Sequence, residues 1–119
     1  MPRVIKILHS YGKIGVKLIP VGNEPLELSF LHQEVGEPTE LSYIEFIYKQ
    51  FPKNPELIII CDENGKFKLL EPTLIIPGDM VVGDILIVVR EKGELYGLND
   101  SQVIAALQQI HPKIIGATI

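Results

Sequence analysis

The chain has 119 residues, of which 46% are hydrophobic and 22% charged; this fits one globular domain with its own core and excludes a disordered chain. A formal net charge of −4 supplies no basic field for gathering phosphates, so a general nucleic-acid binder is disfavoured. The single cysteine, Cys61, excludes an intrachain disulfide and a multi-cysteine metal cage, and no apolar run approaches membrane-spanning length, so a cytoplasmic protein is expected.

In chain order, Arg3–His9 reads as a first strand, with Ile5 and Ile7 on one face and Lys6 interrupting the other. Tyr11-Gly12-Lys13-Ile14-Gly15 suits a hairpin turn, and Val16–Val21 returns as a second strand. Its Pro20 cannot donate to a ladder and therefore demands an edge or a bulge. Leu26, Leu28 and Phe30 alternate with Glu27 and Ser29, the pattern of a half-buried strand. Ser42-Tyr43-Ile44-Glu45 has the spacing of a capping box, and Leu41, Ile44, Ile47, Tyr48 and Phe51 share one helical face. Those residues predict a helix over 40–51, ended by Pro52.

Leu57–Cys61 is a buried-strand pattern, Asp62-Glu63-Asn64-Gly65 a hairpin turn, and Lys66–Leu70 its return strand. Pro72–Pro77 is a short extended piece between prolines. Two Gly-Asp pairs follow, Gly78-Asp79 and Gly83-Asp84, each pairing a residue free to adopt positive φ with one that bonds its local backbone. The second feeds Ile85–Val89, apolar on both faces and rich in β-branched side chains, as a central strand covered on two sides must be. Glu94–Leu98 pairs back as an edge strand. Asn99-Asp100-Ser101 offers N-caps for a last helix, with Val103, Ile104, Leu107 and Ile110 on one stripe.

The order strand, turn, strand, helix, hairpin and last strand resembles the β-grasp of ubiquitin-like domains. Leu57-Ile58-Ile59-Ile60-Cys61-Asp62-Glu63-Asn64-Gly65-Lys66 and Val82-Gly83-Asp84-Ile85-Leu86-Ile87-Val88-Val89 are similar to the end of sulfur carriers of the molybdopterin-synthase small-subunit and thiamine type. The resemblance spans residues 3–90 in element order and two turn motifs in sequence. It implies an α+β fold, a mixed four- or five-stranded sheet packed on one helix. The chain departs from that family where its chemistry lies. No terminal Gly-Gly follows Val89; Arg90-Glu91-Lys92-Gly93-Glu94 and a further extension stand there instead, so Gly93 is internal and offers no carboxylate to activate. Residues 1–98 are then the β-grasp-like domain, and 99–119 a helix and apolar tail packed on the domain or on a partner.

Other chemistry finds little to stand on. His9, His32 and His111 have no ligand-like spacing, so no metal site is expected. Asp79 and Asp84 each follow a glycine and read as turn-formers rather than as an acid–base pair. No phosphate loop occurs, and no serine has a nucleophile-elbow context. Catalytic, cofactor and metal residues are thus all read as none. The leading expectation is a non-enzymatic, ubiquitin-like interaction module whose partner is another protein or a second copy. The partner-contact candidates are Phe46, on the polar side of the expected helix, and the tail residues Ile114, Ile115 and Ile119. Two alternatives remain open. One is a small-ligand or RNA-binding β-grasp domain using Lys6, Lys13, Lys17, Lys66 and Lys68; the other is a small β-barrel enzyme subunit.

Overall fold

A computed structural model describes residues 1–10, 13–35, 44–63 and 72–115. In chain order these form β1 (Arg3–Ser10), β2 (Lys13–Pro20), α1 (Leu28–Val35), β3 (Ile44–Ile47), β4 (Leu57–Asp62) and β5 (Pro72–Ile76). They continue through β6 (Asp79–Val82), β7 (Ile85–Glu91), β8 (Glu94–Tyr96) and α2 (Asp100–Ile110), which ends in a 3₁₀ turn over His111–Lys113. Six strands make one sheet in the spatial order β2-β1-β7-β4-β3, with β8 also pairing β7, while β5 and β6 form a separate hairpin.

Strand β7 holds the molecule together. Ile85–Val89 are all buried between β1 and β4, as their two-sided apolar pattern requires. The pleat divides them. Ile85, Ile87 and Val89 join Ile5, Ile7, Leu57 and Ile59 in one core, closed by Val103, Ala106 and Ile110 of α2 and by Leu74 and Val81 of the β5–β6 hairpin. Leu86 and Val88 join Val4, Ile58 and Ile60 in a second core, closed by Leu31 and Val35 of α1. Each such aliphatic side chain contributes roughly 1.5–3 kcal/mol by leaving water. The charge that interrupts β1 is paired: Lys6 Nζ lies 3.3 Å from Glu34 Oε1 and 3.6 Å from Asp84 Oδ2.

The turns follow local chemistry. Gly78 has φ 79° and Gly83 φ 77°, the left-handed region that glycine enters without penalty. Pro77-Gly78 links Ile76 to Asp79 with the Pro-then-Gly order of a type II turn, and Asp79 Oδ1 accepts a bond from the Met80 N–H at 2.7 Å. The buried Thr73 hydroxyl donates to the Gly83 carbonyl and ties β5 to the start of β7. Pro20 ends β2 on an edge strand, where its missing N–H costs no ladder bond. Asn99 caps α2 in a capping box with Gln102: its side chain accepts from the Gln102 N–H while the Gln102 side chain accepts from the Asn99 N–H.

Four expectations are corrected. The segment predicted as a helix over 40–51 contains β3, and Glu45 is a strand residue rather than half of a capping box; residues 39–43 lie outside the described residues. Ile44, Phe46 and Ile47 suit a pleated surface, and β4 has backbone groups on that side to pair. Conversely, the strand expected over Leu26–Phe30 gives way to α1, because Leu31 and Val35, four apart, bury one helical face. The sheet is antiparallel in every described pairing, not mixed. Two helices cover it, one on each face. Of the stripe expected on α2, Val103 and Ile110 are buried and Leu107 packs partly against the core, but Ala106 takes the inward place of Ile104, which is exposed. The return strand expected at Lys66–Leu70 lies outside the described residues. What stands is an α+β fold.

Candidate functional site

The β3–β4 register sets Glu45 beside Cys61 and Ile47 beside Ile59, on the face that the β5–β6 hairpin covers. Between that strand pair and the hairpin runs a cleft of about 320 Å³. Two kinds of residue border it. Glu45, Asp62, Glu63 and Asp79 bring four carboxylates, and the described lining contains no lysine, arginine or histidine. Phe46, Tyr48 and Met80 stand on or beside the strands that border it and stay 39%, 45% and 46% exposed, the Phe46 side chain on the opposite face of β3 from Glu45. The Arg90 guanidinium sits 5.6 Å from the Tyr48 ring centroid, a cation–π contact.

Cys61 lies against this cleft and is itself buried. Burial, reinforced by the negative charge of Glu45, Asp62, Asp79 and Glu63, pushes its thiol up to about 12. The group stays protonated and is a poor nucleophile. Native protein at pH 8 is therefore expected to resist iodoacetamide while denatured protein is alkylated, as mass spectrometry of the two samples checks. Rapid native labelling would contradict this account of the thiol. The raised value also makes stability fall as pH rises from about 9 towards about 12, because the unfolded chain then gains by releasing a proton that the fold retains.

The anticipated contact residues separate. Phe46 does reach the surface, but from β3, on the strand face that it shares with Ile60. The start of the tail is held in cis. Ile114 bridges Leu74 and packs against the larger core, and the Ile115 N–H donates to the Thr73 carbonyl at 3.0 Å. Ile119 lies outside the described residues. His9, His32 and His111 occupy β1, α1 and the 3₁₀ turn, and the described residues hold no group of three or more metal-ligating side chains. Asp79 and Asp84 serve local geometry, the first towards Met80 and the second towards Lys6. Of the lysine strip, Lys66 and Lys68 lie outside the described residues, and Lys13 and Lys17 sit on β2 at the opposite margin of the sheet.

The carboxylate group and the exposed Tyr48 and Met80 went unrecognised in the sequence. Glu45 and Asp62-Glu63 meet only through strand register, and Asp79 joins them only when the hairpin folds over. A second hollow, of about 420 Å³, lies beside Pro2, Asn23, Glu91, Tyr96 and Gln102 and has Glu91 as its charged lining residue. No described helix is long and apolar enough to cross a membrane. Comparison with family models, curated proteins and solved structures finds no match to this chain.

Proposed function

We propose that this protein is a non-enzymatic interaction module and that the cleft between β3 and the β5–β6 hairpin is where a protein partner docks. The observation that carries the reading is an open cleft between β3 and the hairpin, with Phe46, Tyr48 and Met80 exposed on or beside the strands that border it. Large apolar side chains exposed beside a hollow are common anchors of a protein contact. A protonated, buried thiol and turn-forming aspartates leave the same hollow poorly equipped for nucleophilic or acid–base chemistry. The ubiquitin-like part of the expectation has the early strand–strand–helix order in its favour. The antiparallel β1–β7 pair withholds the mixed sheet that it implied, so the proposal rests on the cleft.

Selection of binders from a displayed library of random dodecapeptides tests the reading. Enriched peptides are expected to lose affinity for Phe46→Ala and Met80→Asp proteins and to keep it for Ile104→Ala, whose side chain is exposed on α2. Binders indifferent to the first two substitutions would refute it.

A further inference from the structure

The geometry points to a specific occupant, an extended segment of a partner protein that lies along the outer edge of β3 and carries arginine or lysine at every second position. The inference rests on the docking role proposed above and adds the partner's chemistry. Strand β3 ends the sheet: among the described residues no further strand lies beyond it. An edge strand presents backbone donors and acceptors to any extended chain that can reach them.

The pleat then dictates what that chain must carry. Side chains of an added strand alternate between the two faces as those of β3 do. On the hairpin side they meet Glu45, with Glu63 and Asp79 at the same cleft. On the other side they meet Ile44 and Phe46, the latter 39% exposed. Cations suit the first set of positions and apolar residues the second. Complementary charge also steers the approach and fixes which face a strand presents. Other chains are discouraged by the same carboxylates, since charges near an edge repel strands that bring none to match.

Titration of acetyl-Arg-Val-Arg-Val-Arg-Val-amide into the ¹⁵N-labelled full chain tests this. Amide shifts are expected to concentrate in residues 44–48 and 79–82, with affinity falling as salt rises. Two further versions of the peptide, N-methylated at odd or at even positions, separate edge pairing from simple charge attraction. One should bind at least about tenfold more weakly than the other, because only alternate amides face the edge. Glu45→Lys and Glu63→Lys proteins should each lose affinity for the unmethylated peptide. Equal binding of the two methylated versions overturns the inference, as does equal binding of the reordered peptide Arg-Arg-Arg-Val-Val-Val. Sedimentation showing that a second copy of the chain occupies β3 and excludes the peptide overturns it too. If selected dodecapeptides dock at Phe46 and Met80 without alternating cations, this inference fails and the docking role stands. If neither they nor the alternating peptide perturb the cleft, both fail.

Discussion

Replacing Ile87 with alanine is expected to lower the free energy of unfolding by about 2–5 kcal/mol, the range for deleting a buried aliphatic side chain whose surroundings relax only in part. Ile87 has no exposed surface, its backbone pairs with Ile5 on one side and Ile59 on the other, and its side chain belongs to the larger core. The cavity would thus open where three strands meet. A domain of this size has roughly 5–15 kcal/mol in hand, so one such loss consumes a large part of it. Urea unfolding followed by circular dichroism provides the measurement: the midpoint should fall with the slope unchanged. Ile104→Ala, on the exposed side of α2, serves as the control and should stay within about 0.5 kcal/mol of the parent. Equal shifts for the two variants would remove β7 from the centre of the fold.

The second large effect belongs to a residue with no side chain. A Cβ built on Gly97 would lie 2.5 Å from Val21 Cγ2, 3.0 Å from Pro2 Cβ and 3.1 Å from the Arg3 nitrogen. These neighbours have little freedom to retreat. Arg3 and Leu98 exchange backbone bonds of 3.0 and 2.7 Å, and the Val21 N–H donates to the Pro2 carbonyl at 3.0 Å. Gly97→Ala is therefore expected to cost about 1–3 kcal/mol, the usual penalty for overfilling a packed site. Thermal denaturation should show a drop in midpoint. Adding Val21→Ala removes the shortest contact and leaves the other two, so the double variant should recover part of the loss and not all of it. A Gly97→Ala protein as stable as the parent would show that the link into α2 is looser than drawn.

Where a local rule decides the conformation, the residues were readable in advance. Gly78 and Gly83 take positive φ, Asn99 caps α2, Pro20 sits on an edge, and Ile85–Val89 is buried from both sides. The strand expected over 26–30 gives way to α1, Leu28–Val35, and the helix expected over 40–51 contains β3, Ile44–Ile47, both for the same reason. Each is short, and its apolar spacing fits a period of two or of 3.6 about equally well. What separates them is β4, fully buried and needing a ladder partner on its far side, a demand made by residues well downstream. Phe46, a contact candidate from the sequence, is exposed, but on a strand rather than on a helix face. The carboxylates of the cleft carry no linear signal, since Glu45 and Cys61 become neighbours only through β3–β4 pairing.

The position of β7 also bears on how quickly the chain reaches this state. Its ladder with β1 joins Ile5 to Ile87 and Ile7 to Ile85, residues separated by well over half of the sequence. Contacts of such long sequence separation are reached late, after the entropy of closing a large loop has been met, and proteins dominated by them fold in milliseconds to seconds rather than microseconds. During synthesis the amino-terminal hairpin must wait, its apolar sides unsheltered, until the ribosome has released residues 85–91.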